Sequence, residues 1–177
     1  MSAAIPERIV LVGFMGSGKT TVGGHLARLL DWGFRDLDRW IEERLGLTVR
    51  EVFERQGEAV FREEEREAAA VAARLRRHVV AAGGGAFAEP ETRRLLQAGS
   101  VTVWLSCEWT ALAARIPDDG SRPRAVSRAK MRDLLAEREP AYRLADLSVD
   151  TTQLTAAQTA RHIAQALFPE DPPATPR

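Results

Sequence analysis

The sequence lacks the features that would direct a protein to a membrane, to nucleic acid or to an oxidising compartment. Cys107 is the single cysteine among 177 residues, so no internal disulfide can form, which fits a reducing cytoplasm. No apolar run is long enough to cross a bilayer, and residues 1–7 lack the basic and apolar regions of a secretion signal. The formal net charge is zero, so no overall field attracts polyanions. We expect a cytoplasmic protein that binds neither nucleic acid nor membrane.

One stretch of the sequence fits a phosphate-binding pattern at every fixed position. Residues 13–20 read GFMGSGKT, which matches G-x-x-x-x-G-K-[ST]. A β-branched apolar run at 8–12 precedes it, and apolar residues at helical spacing follow it through 20–30. A strand, a glycine loop and a helix are the context in which backbone N–H groups and a helix N-terminus hold phosphate. We expect Lys19 to reach the β- and γ-phosphates and Thr20 to offer its hydroxyl to Mg²⁺. The predicted nucleotide-binding residues of this loop are Gly16, Ser17, Gly18, Lys19, Thr20 and Thr21.

The rest of the chain alternates between strand and helix patterns, which predicts a parallel sheet with helices on both faces. Further strands are predicted at 34–38, 78–82, 101–105 and 147–149, and the later helices at 91–98, 109–115, 130–139 and 155–167. The helix at 130–139 is expected to stop near Pro140. No repeat or linker interrupts the pattern, so we predict one domain over 1–168 and a Pro-rich disordered tail at 169–177.

Polar and glycine residues cluster where two predicted strands end. Asp36 and Asp38 end the second strand beside the phosphate loop, at the sheet edge where ligands of α/β folds bind. Two apart on a strand, they would face the same side, although a turn or a helix-cap pair is the alternative. Gly83–Gly85 follow the third strand directly, which indicates either the close approach of a ligand to the backbone or a plain loop.

Two further segments carry arginines that admit more than one interpretation. Arg62 and Glu65 are three residues apart on one helix face, but the charge around them is typical of a solvated face with helical ion pairs. Residues 116–125 are polar and turn-rich, and they contain Arg122 and Arg124. Arginines there suit a lid that closes on phosphates, and an ordinary surface loop is the alternative.

The remaining sequence narrows the class of nucleotide-binding protein. No N-K-x-D follows to bind guanine, and no D-x-x-G follows to form a GTPase switch. One small domain cannot hold the partner-coupling parts of a motor protein. Acidic, glycine and arginine groups at the strand ends could instead hold a second small molecule. The sequence therefore favours a phosphotransferase that acts on a metabolite.

A series of motifs resembles the shikimate kinases over residues 9–167. The matching segments are the phosphate loop through Gly23, Asp36-Leu37-Asp38, F-R-x-x-E at 61–65, the triple glycine at 83–85, Arg122-Pro123, and R-x-P-x-Y at 138–142. The resemblance implies a three-layer α/β/α P-loop kinase fold with a five-stranded parallel sheet, similar to nucleoside monophosphate kinases. It also implies a monomer that uses ATP and Mg²⁺ to convert shikimate to shikimate 3-phosphate, on the route to chorismate and aromatic amino acids.

The resemblance also implies roles for the residues around the acceptor. Asp38 would bind ring hydroxyls of shikimate and orient the attacking 3-hydroxyl or accept its proton. Arg62 and Arg138 would bind the substrate carboxylate, with Glu65 orienting Arg62. Gly84 would present its backbone N–H to the substrate.

On the donor side, the resemblance assigns the metal and the nucleotide to other residues. Asp36 would lie nearer Mg²⁺ and act through water. Arg122, the lid arginine, would move onto the transferring phosphate, so it counts with Lys19 and Asp38 among the expected catalytic residues. Arg115 would stack near adenine.

Two other functions stay open at this stage. One is another small-metabolite kinase of the same fold, such as a gluconate kinase-like enzyme. The combination of D-x-D with F-R-x-x-E argues against it, because these groups suit a carboxylate next to hydroxyls. The other is a nucleotide-binding regulatory domain without catalysis, which the full set of expected site residues disfavours.

Overall fold

The computed structural model describes residues 6–116 and 128–169, and in that part of the chain five parallel strands form one sheet in the order β2-β3-β1-β4-β5. The strands are β1 (Arg8–Val12), β2 (Gly33–Asp36), β3 (His78–Ala81), β4 (Val101–Ser106) and β5 (Leu147–Asp150). The helices are α1 (Lys19–Leu30), α2 (Leu37–Leu45), α3 (Val49–Arg55), α4 (Glu58–Ala72), α5 (Pro90–Gln97), α6 (Trp109–Arg115), α7 (Arg128–Tyr142) and α8 (Ala156–Leu167). The predicted five-stranded parallel sheet is therefore confirmed.

The central strand β1 is buried on both faces and divides the hydrophobic core into two clusters. Ile9 and Leu11 pack in one cluster with α1 and α8, while Val10 and Val12 pack in the other. Phe61 of α4 belongs to this second cluster. Because successive residues of a strand point to opposite faces, a continuous apolar strand needs helices on both sides. This arrangement gives the three layers that were predicted.

A buried arginine closes the end of the sheet opposite the phosphate loop. Arg8 is 3% exposed and donates to the carbonyl oxygens of Leu75 and Ala98, each at 2.5 Å, and to Ser100 Oγ at 3.1 Å. Burial lowers the pKa of its guanidinium. The side chain thereby ties the segments after α4 and after α5 to the first residue of β1.

The second predicted strand is too long at its C-terminal end. The structure ends β2 at Asp36 and places Asp38 in the first turn of α2, so the two carboxylates do not share a strand face. Asp36 is the N-cap of α2, and its Oδ1 accepts from the backbone N–H groups of Asp38 (3.1 Å) and Arg39 (3.3 Å). Satisfying the free N–H groups of a helix is the usual task of an aspartate at this position.

The predicted end of the helix near Pro140 is also wrong, because α7 continues to Tyr142. A proline in the last turn removes one intrahelical hydrogen bond and leaves the backbone dihedral angles helical. Arg138 and Tyr142 are both buried on this helix, so packing holds the last turn in place. No helix in the described part of the chain combines the length and apolar character needed to cross a membrane.

Candidate active site

The loop between β1 and α1 has the backbone conformation that a phosphate-binding loop requires. Gly16 and Gly18 have φ angles of 78° and 93°, in the left-handed region that favours glycine. Lys19 begins α1, and its Nζ donates to the carbonyl oxygens of Gly13 (2.8 Å) and Phe14 (2.9 Å). The lysine thus spans the loop at a helix N-terminus, where partial positive charge and free N–H groups favour an anion.

Thr20 and Asp36 bring two oxygen ligands together beside this loop. Thr20 Oγ1 donates to Asp36 Oδ2 at 2.6 Å. Within residues 6–116 and 128–169, no group of three or more His, Cys, Asp or Glu side chains could hold a metal by itself. Mg²⁺ usually keeps several waters and takes only one or two protein oxygens besides the substrate phosphates. This pair of oxygens fits that requirement.

A polar cleft of about 710 Å³ runs from the phosphate loop toward α2 and α3. Lys19, Thr20 and Asp36 line it at the loop. A second pocket, here called the acceptor pocket, adjoins the cleft, and both are lined by Met15, Asp38 and Gly84. The acceptor pocket is lined by Met15, Asp38, Val49, Phe53, Phe61, Arg62, Glu65, Gly84, Gly85, Leu134 and Arg138. The geometry therefore provides two adjoining spaces with Asp38 at their junction.

Two guanidinium groups from different helices converge in the acceptor pocket. Arg62 comes from α4 and Arg138 from α7. A Cβ atom built on Gly85 would lie 2.5 Å from Arg62 Nη1 and 3.0 Å from Arg138 Nη2. A side chain at residue 85 would therefore occupy the space that the two arginines share. Two adjacent guanidinium groups are well suited to bind a carboxylate.

Glu65 is a buried carboxylate that holds Arg62 in this position. It is 3% exposed and forms an ion pair with Arg62 Nη1, while Arg62 Nη2 contacts Glu58 at 3.1 Å. Burial raises the pKa of Glu65 to about 7, the charge of Arg62 opposes that rise, and the nearby carboxylate of Asp38 adds to it. The second oxygen, Oε1, is buried and has no hydrogen-bond partner among the described residues. Glu65 is thus a buried ion-pair partner of Arg62 and not part of a solvated helix face.

The triple glycine leaves room for these side chains. A Cβ atom built on Gly83 would lie 2.6 Å from Glu65 Oε1 and 2.7 Å from Asp38 Oδ1. At Gly84 it would lie 3.6 Å from the backbone N of Met15, next to the phosphate loop. The glycines therefore let the acceptor residues approach the backbone, which favours the ligand-approach interpretation over a plain loop.

Arg115 lies beside the phosphate loop, at the end of α6, and it also lines the polar cleft. Its Nη2 donates to the carbonyl oxygen of Thr151 at 3.0 Å, and Nη1 contacts Thr151 Oγ1 at 3.4 Å. A cavity of about 230 Å³ beside it is lined by Gly16, Ser17, Gly18, Thr21, Val22, Arg115, Thr151, Leu154, Ala156 and Thr159. This cavity shares Gly16, Gly18, Thr21 and Arg115 with the polar cleft, and it shares no lining residue with the acceptor pocket. Arg122 and Arg124, with the predicted lid beyond Ile116, lie outside the described residues.

Several residues of the site did not follow from the sequence. Phe53 and Phe61 line the acceptor pocket with their ring centroids 4.6 Å apart. Leu134 and Met15 complete the apolar wall. Tyr142 reaches the triple glycine, although only its place in the R-x-P-x-Y motif marked it. Spacing cannot separate a residue that faces the core from one that faces a pocket in the core.

Comparison with known proteins agrees with this geometry. The shikimate kinase family model matches residues 15–168. A shikimate kinase from Moorella thermoacetica is 49% identical over 166 residues, covering 92% of this chain and 95% of that protein. The structure of shikimate kinase from Acinetobacter baumannii in complex with shikimate superposes with a TM-score of 0.89 at 36% identity, covering 94% of each chain.

More distant structures share the fold alone. Thymidylate kinase from Candida albicans is 13% identical and has a TM-score of 0.56, covering 98% of this chain and 96% of that one. The predicted likeness to nucleoside monophosphate kinases is therefore confirmed at the level of the fold. The family model matches most of the chain and the Moorella protein is 49% identical to it, so these two findings show the family and not only the fold. The chain belongs to the shikimate kinase family.

Proposed function

We propose that the chain transfers the γ-phosphoryl group of ATP to the 3-hydroxyl of shikimate, giving shikimate 3-phosphate and ADP. The observation that carries this proposal is the convergence of Arg62 and Arg138 at Gly85, in a pocket that meets the phosphate-loop cleft at Asp38. Shikimate is a carboxylate with adjacent ring hydroxyls, and this pocket offers two cations for the carboxylate and the carboxylate of Asp38 as a hydrogen-bond acceptor for hydroxyls. The family assignment supports the same reaction.

On the acceptor side, the guanidinium groups of Arg62 and Arg138 bind the substrate carboxylate, and the backbone N–H of Gly84 contacts the substrate. Asp38 accepts hydrogen bonds from ring hydroxyls and takes the proton of the 3-hydroxyl as that oxygen attacks. The new bond joins the 3-oxygen to the γ-phosphorus, and the bond from that phosphorus to the β–γ bridging oxygen breaks. The electron pair of the broken bond stays on ADP.

On the donor side, the loop from Gly16 to Thr21 holds the phosphates, and Lys19 neutralises charge on the transferring group. Arg122 supplies a further positive charge from the lid, and Arg115 stacks on adenine. Thr20 and Asp36 would hold Mg²⁺, with Asp36 acting through water. The metal would supply positive charge that neutralises and orients the phosphates.

The proposal also covers the pathway, the cellular location and the oligomeric state of the enzyme. The reaction serves the route to chorismate and the aromatic amino acids, in the cytoplasm. The protein acts as a monomer, as one domain over residues 1–168 with a lid near 116–125. A single cysteine and zero formal charge support this setting.

An acceptor panel tests the reaction. Purified protein is incubated with ATP and Mg²⁺, and ADP release is followed with shikimate, gluconate or no acceptor. We expect turnover with shikimate alone. Turnover with gluconate and none with shikimate would replace the proposal with the gluconate kinase-like alternative, and nucleotide binding without any turnover would favour a regulatory domain.

An Arg62→Ala variant tests the acceptor pocket. Losing a hydrogen-bonded charge contact costs about 1.5–3 kcal/mol, so KM for shikimate should rise about 10- to 100-fold while KM for ATP changes little. Arg66→Ala is the matched control, since Arg66 lies one turn further along α4 and pairs with exposed Glu63 and Glu91. Equal increases in both KM values for Arg62→Ala would make Arg62 a structural residue only.

A further inference from the structure

Tyr142 is the only tyrosine of the chain, and it is fully buried at the end of α7. Its hydroxyl donates a hydrogen bond to the carbonyl oxygen of Gly84. Its ring is tilted by 31° against the ring of Trp104, with 6.2 Å between the centroids. A tyrosine hydroxyl is already protonated at neutral pH, and burial moves the pKa of Tyr142 further from neutrality, to about 12. The side chain is thus a fixed donor aimed at the triple glycine.

The same side chain lies close to Arg138. Arg138 precedes Tyr142 by one helical turn, which places the two side chains on one face of α7. The positive charge of Arg138 opposes the rise in the pKa of the hydroxyl, so the guanidinium acts on the tyrosine at close range. Tyr142 therefore joins a helix that carries an arginine to a loop that carries the glycines.

The position of Gly84 makes this connection relevant to the reaction. A Cβ atom on Gly84 would lie 3.5 Å from Arg138 Nη1, 3.6 Å from the backbone N of Met15 and 3.8 Å from the carbonyl oxygen of Gly13. Gly84 thus sits between the phosphate loop and the acceptor arginine. The carbonyl of Gly84 shares one planar peptide unit with the N–H of Gly85, and both glycines line the acceptor pocket. The tyrosine bond holds this peptide unit at its carbonyl oxygen.

We propose that Tyr142 is a positioning residue for the acceptor, whose hydroxyl holds the backbone of Gly84, next to Arg138, in the geometry that receives shikimate. The proposal rests on the substrate-binding roles proposed for Arg138 and Gly84. Preorganised groups bind a substrate without first losing conformational freedom, and misplacement by an ångström can cost about 100-fold in rate. Tyr142 lines neither the acceptor pocket nor the polar cleft, so it acts through Gly84 and Arg138, which line the acceptor pocket.

A Tyr142→Phe variant removes the hydroxyl and keeps the ring. We expect KM for shikimate to rise about tenfold, equivalent to about 1.4 kcal/mol, and KM for ATP to stay within about twofold. A merely structural tyrosine would lower the midpoint of thermal unfolding and leave the ratio of the two KM values unchanged. Trp104→Phe is the control, because it disturbs the packing around Tyr142 and leaves the hydroxyl in place. We expect it to lower stability without changing that ratio.

The single tyrosine also allows a test that does not depend on activity or on the variant. Protein labelled with ¹³C at the tyrosine Cζ gives one resonance, whose shift reports the hydrogen bonds of the hydroxyl. We expect shikimate to shift this resonance saturably and Mg²⁺–ADP alone to leave it nearly unchanged. A resonance that ignores saturating shikimate would overturn the proposal, even if Tyr142→Phe failed to fold.

The outcomes separate this inference from the function on which it rests. If Arg62→Ala raises KM for shikimate and Tyr142→Phe does not, the pocket assignment stands and the positioning role of Tyr142 falls. If neither variant changes KM for shikimate, the acceptor pocket itself has been misassigned.

Discussion

The buried carboxylate of Glu65 should make the stability of the protein fall as the pH rises toward neutrality. Burial raises the pKa of Glu65 from 4.5 to about 7, although Arg62 and Arg138 oppose the shift. A carboxylic acid whose pKa is higher in the folded state binds more protons folded than unfolded in the interval between the two values. The free energy of unfolding therefore decreases with pH across about pH 4.5 to 7. Below that window both states are protonated, and above it both are ionised.

The size of this effect follows from the shift. One pKa unit corresponds to 1.36 kcal/mol, so a displacement from 4.5 to about 7 corresponds to about 3 kcal/mol over the whole window. Glu65 is 3% exposed, so solvent screens little of this cost. Between about pH 5 and about pH 8 the expected loss is about 2–3 kcal/mol. Replacing the acid by a neutral amide of similar shape, Glu65→Gln, should remove this contribution.

Urea unfolding of wild type and Glu65→Gln at several pH values between about 5 and 8 measures the contribution. Because other groups titrate in both proteins, the informative quantity is the difference between the two unfolding free energies. We expect that difference to change by about 2–3 kcal/mol in favour of the variant as the pH rises. Glu63→Gln, on the exposed side of α4, is the control and should follow the wild type. A pH-independent difference for Glu65→Gln would refute the reasoning, because it would mean that Glu65 does not titrate in this range.

Two predictions concern the frame that carries the site. Gly23→Ala should destabilise the protein by about 1–3 kcal/mol in urea unfolding, because a Cβ atom there would lie under 3.0 Å from the ring of Phe34. Gly24→Ala should instead stabilise it by about 0.5–1 kcal/mol, because a Cβ atom at that position would have no neighbour within 4 Å. An equal effect of both variants would contradict the packing argument. Arg8→Met should cost about 3 kcal/mol by leaving two backbone carbonyls without their donor, and a loss below about 0.5 kcal/mol would show that water replaces the arginine.

Much of the fold could be predicted because its signals are local. Four of the five strands were predicted to within about one residue at each end, and the phosphate loop was recognised from residues 13–20. A buried parallel strand needs a continuous apolar run, and a left-handed loop needs glycine. The two errors, at Asp38 and at Pro140, occurred where tertiary contacts decide between local alternatives. Asp36 caps a helix and bonds to Thr20 at the same time, and the burial of α7 outweighs its proline.

In the candidate site, too, local sequence signals failed where tertiary contacts decide the surroundings of a residue. Arg62 and Glu65 lie in a run of charged residues that favours a solvated helix, and only the resemblance to shikimate kinases selected them. In the structure, Glu65 is buried against Arg62, and Arg138 arrives from a helix more than seventy residues later in the chain. The spacing of charged residues along a helix shows which of them share a face. It does not show which other helix covers that face.

The sequence by itself determined the phosphate loop, the parallel sheet and the family motifs, because each depends on residues that are neighbours in the chain. The tertiary structure decided that the two arginines meet at Gly85, that Asp38 stands where the two pockets adjoin, and that Tyr142 reaches Gly84 across 58 residues. These features depend on how helices α4 and α7 pack around the end of β3. Burial then sets the chemistry, because a carboxylate such as Glu65 acquires its raised pKa only when the folded chain excludes water from it.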